Sequence, residues 1–354
     1  MPHPLSVSLV TLGDPDTLTG GYLYHRRLAE LAPRYGARMV FASFPAWPFP
    51  FPVLFGPRLL LVLSAQRPDV VVLDSIAAAF FPPWMAAVRA PVLAMLHQPP
   101  GGIDHGPARR KAQAVLDRLA YRRVERVLVA SQLLADQLRG ERFGGDVLVV
   151  PPGRDVAPAA GGRRRDLRGG ARAALLCVGN WVTRKGILDA LDAVARLPDG
   201  LARLHLAGDD RPEPRYAARV RRRLSRPDLA GRVECHGRLS RAEVAAMYRD
   251  ADVFVLPSVR EPYGTVYGEA MAAGLPVVGW RAGNLTYLAR HEREGLLVEP
   301  GDVAGLAAAL HRLAEDGELR ARLGAAARHR AAAFPSWEET GERFFAAARA
   351  AASR

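Results

Sequence analysis

The residues from Asp252 to Trp280 restrict the possible folds more than any other part of the sequence. The apolar run 253–256 has the length and composition of a buried strand, and a second such run follows at 277–280. Between these runs the sequence predicts a short helix that begins at Gly264 or the residue after it and ends at Gly274. The order strand, loop, helix, strand is typical of an α/β protein with a parallel sheet.

The loop between this strand and helix carries side chains suited to a phosphorylated sugar. Ligands of open α/β sheets bind at the carboxyl ends of the strands, so we expect loop 257–263 and the helix start to face a ligand. Backbone N–H groups and the positive end of the helix dipole attract phosphate at such a place. The carboxylates of Glu261 and Glu269 can accept hydrogen bonds from sugar and ribose hydroxyls. The arrangement therefore predicts a site for a nucleotide-sugar.

The two glutamates belong to a long motif, Glu-Pro-Tyr-Gly-x-x-x-x-Glu-Ala-Met-Ala-x-Gly-x-Pro-Val-Val, which runs from Glu261 to Val278. It closely resembles the signature of the retaining glycosyltransferases of family four, which have the GT-B fold. The alternative is an ordinary Rossmann-like unit with incidental acids on a solvated helix. The resemblance implies an α/β protein with two Rossmann-like parallel-sheet domains that face a central cleft.

The length of 354 residues allows two domains, each with its own core. A strand over Leu5–Leu12, a glycine-containing loop and a helix form a Rossmann-like opening. Segment 157–172 is rich in Gly, Arg and Ala, has no apolar periodicity, and is predicted to be a linker or an exposed loop at the domain boundary. We expect domains at 1–156 and 157–334, which the resemblance implies are the acceptor-side and nucleotide-sugar-binding domains. It also implies a terminal helix within 335–354 that crosses back to the N-terminal domain.

Two features of the first domain lie where a ligand would be reached. Gly20 and Gly21 resemble the family's amino-terminal glycine pair, where the backbone approaches the donor phosphate or the acceptor; the alternative is that they serve only the turn. His97 follows the strand-like run 91–96, and the resemblance implies that it contacts the transferred sugar. The other interpretation is a histidine satisfied by loop backbone, and His105 is a second choice.

In the second domain, Arg184 and Lys185 stand before a helix, again at the ligand end of the sheet. Their charges can neutralise a departing diphosphate. The stretch resembles the family's Gly-Arg-x-x-x-x-Lys-Gly motif, with Asn180 in place of its arginine. Lys185 is one of only two lysines in the chain, which supports a role for it.

The resemblance also assigns roles to other positions. Arg238 and Leu239 lie along the nucleotide base, Glu261 and the backbone of residues 263–265 hold sugar hydroxyls, and Glu269 holds the ribose. The predicted catalytic residues are His97, Arg184, Lys185 and Glu261. The predicted donor-binding residues are Gly20, Gly21, Arg238, Leu239, Tyr263, Gly264, Thr265 and Glu269.

The formal charge of +13 is high, and such a balance can indicate nucleic acid, an anionic membrane or anionic ligands. We expect no nucleic-acid partner, because no basic patch is interleaved with stacking aromatics. Segment 44–55 has too many prolines for a regular helix and too many aromatics for an ordinary exposed loop. It either covers the core or forms an apolar lip for a lipid-like acceptor or a bilayer.

A helix that starts at Arg109 is expected to face Leu116 and Leu119 inward and its basic residues outward, toward solvent or anionic headgroups. Cys177 and Cys235 fall in apolar strand-like runs and are expected to be buried free thiols in a reducing compartment. Neither a signal peptide nor an apolar run of ~20 residues is visible. We expect a cytoplasmic protein, free or peripherally bound at the inner membrane face through anionic lipid.

Together these observations predict a retaining glycosyltransferase that moves a sugar from a nucleotide-diphosphate donor, UDP- or GDP-linked, to a lipid, saccharide or small-molecule acceptor. The family uses cationic side chains and helix dipoles in place of a metal, so we expect neither a metal nor a cofactor. Asp14-Pro15-Asp16 matches the letters of a metal-binding Asp-x-Asp, and we interpret that match as coincidence. The alternatives are a GT-B epimerase or phosphorylase, and a non-catalytic nucleotide-sugar-binding protein.

Overall fold

The computed structural model describes residues 3–15, 20–141, 143–154 and 165–354. The chain divides into two compact units, Met1–Gly153 with Pro335–Arg354, and Arg154–Phe334. The expected boundary between residues 156 and 157 falls within 155–164, outside the described residues. Among the helices that the structure describes, none combines the length and the apolar character needed to cross a bilayer.

The described part of the first unit is built on a six-stranded parallel sheet with the strand order β2-β1-β3-β4-β5-β6. The strands are β1 (Leu5–Leu12), β2 (Ala37–Phe44), β3 (Val70–Asp74), β4 (Val92–Leu96), β5 (Arg126–Val129) and β6 (Val147–Val149). The helices are α1 (Gly20–Leu31), α2 (Gly56–Gln66), α3 (Pro107–Tyr121) and α4 (Gln132–Gly140). Every residue of β3 and β4 is buried, as in parallel sheets whose two faces are both covered. The order reverses at β1, so the switch point lies at the carboxyl ends of β1 and β3.

The second unit has its own six-stranded parallel sheet in the described residues, with the order β12-β11-β10-β7-β8-β9. The strands are β7 (Ala173–Val178), β8 (Ala202–Ala207), β9 (Val233–Gly237), β10 (Val253–Val255), β11 (Val277–Trp280) and β12 (Gly295–Val298). The helices are α5 (Ile187–Ala195), α6 (Pro214–Leu224), α7 (Arg241–Asp250), α8 (Thr265–Ala272), α9 (Leu285–Leu288), α10 (Val303–Glu315) and α11 (Gly317–Ala332). The switch point lies between β7 and β10. The predicted α/β class with two Rossmann-like parallel sheets is confirmed.

The last helix, α12 (Trp337–Ala352), packs in the first unit. A capping box of Ser336 and Glu339 closes its amino terminus. Phe344 and Phe345 are completely buried in the core of the first unit, and the Phe345 ring stacks on Tyr35 with 5.2 Å between the centroids. The helix therefore completes a core whose remaining residues lie about 200 positions or more earlier in the chain.

We expect Phe344→Ala to lower the free energy of unfolding of the first unit by about 3–5 kcal/mol, because it leaves a phenyl-sized cavity in a closed core. Urea unfolding followed by circular dichroism measures the change. Arg343→Ala, at the exposed neighbouring position, is the control and should change stability by less than about 0.5 kcal/mol. Equal unfolding midpoints for the two variants would show that α12 adds nothing to this core.

Two burial predictions are wrong. Cys235 is exposed, whereas Cys177 is buried as expected. Cys235 lies on β9, an edge strand whose outer side is uncovered, so an apolar run there does not imply burial. Leu119 was expected to face the core, but its side chain is 40% exposed on the outer face of α3. Leu116 packs only partly against the core, because the buried face of α3 is rotated from the predicted one and consists of Gln113, Ala114, Asp117, Ala120 and Tyr121.

Candidate functional site

The switch point of the second unit brings together three of the predicted residues, Arg184, Lys185 and Glu261. A short 3-10 helix, Thr183–Lys185, follows β7 and ends at Gly186. Gly186 has a φ of +67°, and a Cβ atom there would stand 2.1 Å from the carbonyl oxygen of Pro257. Only glycine therefore allows the segment after β7 to lie this close to the loop after β10.

The charged groups of these residues meet on one carboxylate oxygen. Lys185 Nζ donates to Glu261 Oε2 at 2.5 Å, and Arg184 Nη1 lies 3.4 Å from the same oxygen. Arg184 Nη1 also donates to the carbonyl of Arg260 at 3.1 Å. The exposed fractions of the side chains are only 9% for Lys185 and 13% for Glu261. Two cations face one anion, so the cluster keeps a net positive charge at the ligand end of the sheet.

Backbone contacts hold this cluster in place. Ser258 Oγ and the Val259 N–H both donate to the carbonyl oxygen of Arg184, at 3.0 and 2.9 Å. The Asn284 N–H donates to the carbonyl of Glu261 at 2.9 Å, and Asn284 Nδ2 donates to that of Tyr263 at 2.6 Å. Asn284 is buried, so it ties the glutamate loop to the segment after β11.

The start of α8 also lies against the cluster. Gly264 has a φ of +85°, and a Cβ atom there would meet the Glu261 side chain at 3.3 Å and the Tyr267 ring at 2.8 Å. Thr265, the first residue of the helix, is exposed. Tyr267 lies beneath and donates to the carbonyl of Leu256 at 2.6 Å. The predicted boundaries of this helix are confirmed within two residues.

The other donor-binding candidates of the second unit are Glu269 on α8 and the consecutive residues Arg238 and Leu239 after β9. Glu269 is half-buried on α8, where Tyr248 donates to its Oε2 at 3.1 Å. Burial first, and then this carboxylate, raise the pKa of Tyr248 well above its usual value, so the phenol stays a donor. Arg238 is exposed and Leu239 partly buried in the segment after β9, at the edge of the sheet. Arg238 is near enough to Asp209 to contribute to the lowering of that acid's pKa, although Arg211 contributes most.

In the first unit, His97 belongs to a buried cluster at the switch point. His25 Nε2 lies 3.2 Å from Asp74 Oδ2 and 3.2 Å from His97 Nε2. Thr11 Oγ1 also donates to Asp74, at 2.9 Å. The Nε2 atom of His97 thus meets another side chain, and the contact of this residue with a sugar stays a prediction. Gly21 lies beside it, because a Cβ atom there would be 3.6 Å from the His97 ring.

The surroundings determine the charges in this cluster. Burial raises the pKa of Asp74, but His25, His97 and Thr11 together outweigh burial and lower it to about 2. Burial, reinforced by His25, lowers the pKa of His97 to about 3, although Asp74 opposes the shift. At neutral pH the cluster therefore holds an ionised Asp74 and an uncharged His97. An uncharged imidazole both donates and accepts hydrogen bonds, as a contact to sugar hydroxyls requires.

We expect a pH-dependent stability from His97. The unfolded residue takes up a proton near pH 6.5, whereas the folded one does so only near pH 3, so the folded state loses stability as the pH falls through this window. The stability of the wild type relative to His97→Gln should fall with decreasing pH between 6.5 and 4, by at most about 1.4 kcal/mol per pH unit. Urea unfolding of both proteins measures it. Burial raises the pKa of Asp117 to about 7, but Asp117 titrates in both proteins, so its effect cancels in the difference between their free energies of unfolding. A difference that does not change with pH would contradict the lowered pKa of His97.

His105, the second choice in this unit, lines a cavity of about 200 Å³. The cavity is also lined by Leu12, which ends β1, and by Ile76 and Gln98, which follow β3 and β4. It therefore opens at the ligand end of the sheet of the first unit. Arg109 and Gln113 of α3 complete its polar side. Of the predicted site residues, Gly20 and Gly21 start α1 beside this end of the sheet.

Two clusters among the described residues have donor atoms close enough to bind a metal ion: His25 with Asp74 and His97, and His205 with Glu234 and His236. In the second cluster His205 Nδ1 lies 2.9 Å from His236 Nε2, and His205 Nε2 lies 2.7 Å from the Leu167 carbonyl. These are hydrogen-bond distances, which account for both histidines without an ion.

Sequence reasoning missed His25, Asp74, Ser258 and Asn284. Asp74 ends β3, so the rule that selected His97 at the end of β4 also applies to it. His25 stands four residues after Gly21 and hence one turn along the same face of α1. Ser258 and Asn284 act through loop backbone and carry no sequence signal of their own.

Comparisons with known proteins cover both units. Residues 5–157 match the family described as Glycosyltransferase Family 4, and residues 172–316 match Glycosyl transferases group 1. The glycogen synthase of Mycobacterium tuberculosis is 30% identical over 290 residues, which is 77% of this chain and 66% of that relative, just under two thirds of its length. The lipopolysaccharide core biosynthesis glycosyltransferase LpsD of Rhizobium meliloti is 29% identical over 76% of this chain and 71% of its own.

Solved structures show the same architecture. Sucrose-phosphate synthase from Thermosynechococcus elongatus matches with a TM-score of 0.85 and 22% identity, over 98% of both chains. HepE from Anabaena, solved in complex with UDP and glucose, matches with a TM-score of 0.77 and 20% identity, over 97% of this chain and 99% of that one.

Proposed function

The chain belongs to the glycosyltransferases of family four with the GT-B fold, and from this premise we propose that it moves a sugar from a nucleotide-diphosphate donor to an acceptor, with retention of the anomeric configuration. The observation that carries the proposal is the convergence of Arg184 and Lys185 on the one carboxylate of Glu261 at the switch point of the second unit. The surplus positive charge lies where a ligand of such a sheet binds, and it suits a diphosphate.

The difficult step is the departure of the nucleoside diphosphate from the anomeric carbon. Negative charge grows on the leaving oxygen, and positive charge grows on the sugar. Arg184 and Lys185 are already held in place by Glu261 and by the backbone of residues 258–260, so they stabilise the leaving group without reorganisation. The start of α8 at Gly264 adds backbone N–H groups to the same task.

The acids hold the sugar and the ribose. Both cations contact Oε2 of Glu261, and the carboxylate accepts hydrogen bonds from hydroxyls of the transferred sugar through Oε1. Tyr248 orients the carboxylate of Glu269, which accepts from the ribose. In the first unit His25, itself in contact with Asp74, holds the uncharged ring of His97 in one orientation, which suits a hydrogen bond to a sugar hydroxyl.

Several observations favour one donor class and one location. HepE was solved with UDP and glucose, and with UDP-glucose, which supports a uridine-diphosphate sugar as donor. Relatives named for lipopolysaccharide core biosynthesis support a saccharide or lipid-linked acceptor. Both cysteines are free thiols, which supports the cytoplasm as the site of action.

Because Arg184 and Lys185 supply the positive charge, the proposed transfer needs no metal, and turnover should be unchanged in EDTA.

The test begins with thermal-shift screening against UDP-, GDP-, ADP- and dTDP-linked sugars, since a ligand that binds the folded state raises its melting temperature. The stabilising donor, labelled in the sugar, is then incubated with saccharide and lipid acceptors. We expect label in an acceptor conjugate, release of nucleoside diphosphate, and the anomeric configuration of the donor in the product by NMR.

The same experiment separates the rivals. A phosphorylase would require inorganic phosphate, and an epimerase would change the sugar without any acceptor. A binding protein would show the thermal shift and release no nucleoside diphosphate. Inversion at the anomeric carbon would refute retention while leaving sugar transfer itself intact.

A further inference from the structure

A short 3-10 helix, Phe51–Phe55, precedes α2, and the outer face of the two helices is apolar. Phe51, Leu54, Leu61 and Val62 are all exposed, with exposed fractions of 55% for Phe51, 69% for Leu54 and 71% for Leu61. Trp47, just before them, is 48% exposed. We call these five side chains the outer apolar face. Single exposed apolar residues are ordinary, but five within sixteen positions of one segment indicate a surface that binds something.

The spacing of these residues places most of them on one side of the helix. Phe51, Leu54, Arg58 and Leu61 follow one another at intervals of three or four residues, which is the repeat of a helical face. Leu59 and Leu63, on the opposite side, are buried in the core of the first unit. The core therefore uses a different set of leucines, and the outer apolar face makes no contribution to it.

Side-chain contacts hold the backbone under this face in place. Trp84 Nε1 donates to the carbonyl of Val53 at 3.1 Å, and a Cβ atom on Gly56 would stand only 2.0 Å from the same indole. The ring of Phe49 packs 5.9 Å from that of Phe80. Segment 44–55 therefore divides into two sets of side chains. Phe44 and Phe49 cover the core, whereas Trp47, Phe51 and Leu54 are exposed.

Arginines border this face. From Leu31 to Pro68 the sequence contains no aspartate or glutamate and four arginines, of which Arg34 already pairs with Glu338 of α12 at 3.3 Å. The guanidinium of Arg58 lies over the Phe55 ring at 5.6 Å, and that of Arg109 on α3 lies over Phe49 at 5.3 Å. An apolar face with aromatic residues and bordering arginines matches the boundary between the acyl chains and the anionic headgroups of a bilayer.

We propose that the outer apolar face docks the first unit on a bilayer that contains anionic lipid. A second copy of the chain fits this face less well, because a two-fold contact would bring Arg58 toward Arg58 of the other copy with no carboxylate from residues 31–68 to separate them. Docking goes beyond the transfer reaction and needs neither donor nor acceptor, so it is measured without them.

The test is co-sedimentation with vesicles of phosphatidylcholine alone and of phosphatidylcholine with 30% phosphatidylglycerol (roughly the anionic content at which surface potential matters). We expect the wild type to bind the anionic vesicles at least tenfold more tightly than the neutral ones, and to be released by salt. Leu54→Glu with Leu61→Glu should weaken binding to anionic vesicles at least tenfold, with an unchanged circular dichroism spectrum. The matched control is Ala321→Glu with Ala325→Glu, which adds the same charges at exposed positions of α11 and should bind as the wild type does.

A second readout locates the contact. The emission of Trp47 should shift to shorter wavelength when anionic vesicles are added, and the shift should be missing in Trp47→Phe. Equal sedimentation of the wild type and the Leu54→Glu, Leu61→Glu variant would overturn the proposal. A second outcome would also overturn the proposal: the wild type forms dimers in analytical ultracentrifugation, the variant does not, and neither binds vesicles. The face would then be an interface between two copies of the chain. If the wild type binds anionic vesicles but transfers no sugar, the proposed function is contradicted and the docking proposal is not.

Discussion

Replacing Lys185 by alanine should lower kcat/KM for the donor about hundredfold. Lys185 is one of the two cations at the Glu261 carboxylate, and its ammonium group is positioned in advance at a place where a leaving diphosphate gains charge. Removing one such preorganised group typically costs about 3 kcal/mol of transition-state stabilisation, which corresponds to that factor. Steady-state release of nucleoside diphosphate from a stabilising donor measures it. The fold should persist, because Arg184 still faces Glu261 at 3.4 Å.

The chain provides a matched control, because its only other lysine, Lys111, is exposed on α3. Lys111→Ala makes the same chemical change away from the second unit and should leave turnover of a water-soluble donor within twofold. Glu269→Ala should lower turnover at least tenfold through loss of the ribose contact. Near-normal turnover in both Lys185→Ala and Glu269→Ala would remove the basis for the proposed donor site.

Gly186→Ala should destabilise the second unit by several kcal/mol and abolish donor binding. The left-handed φ of +67° alone costs a non-glycine residue about 1–2 kcal/mol. In addition, the new Cβ atom would stand 2.1 Å from the Pro257 carbonyl, so the Lys185 segment and the Glu261 loop must move apart. That movement lengthens the contacts between Lys185 and Glu261. Urea unfolding and calorimetric titration with nucleoside diphosphate measure the two effects.

Gly200→Ala is the control that separates the cost of the left-handed backbone at Gly186 from the cost of the contact between the new Cβ atom and Pro257. Gly200 has nearly the same φ, +71°, and no atom lies within 4 Å of a Cβ placed there. It belongs to the same unit, so its alanine variant reports the cost of the backbone conformation alone and should bind nucleotide normally. Equal losses of stability in Gly186→Ala and Gly200→Ala would show that the close approach to Pro257 is unimportant.

Much of the fold follows from local pattern. The bounds of β1 agree with the prediction residue for residue, and the strand, loop, helix and strand around Glu261 are confirmed. Local pattern also indicated the Arg184 and Lys185 segment, because charged residues after a parallel strand lie at the ligand end of the sheet. Burial was less predictable, as Cys235 and Leu119 show, because it depends on which faces neighbouring elements cover.

The sequence by itself determined where the strands and helices lie and which residues stand at the ligand ends of the two sheets, because hydrophobic period and glycine punctuation are local properties of a chain. Only the tertiary structure decided which of those residues meet. Glu261 lies 76 residues from Lys185, and His97 lies 72 residues from His25, so their contacts depend on the strand order of each sheet. Asn284 could not be predicted for the same reason. Its buried amide donates to a backbone carbonyl of the Glu261 loop, and this contact exists only in the folded loop.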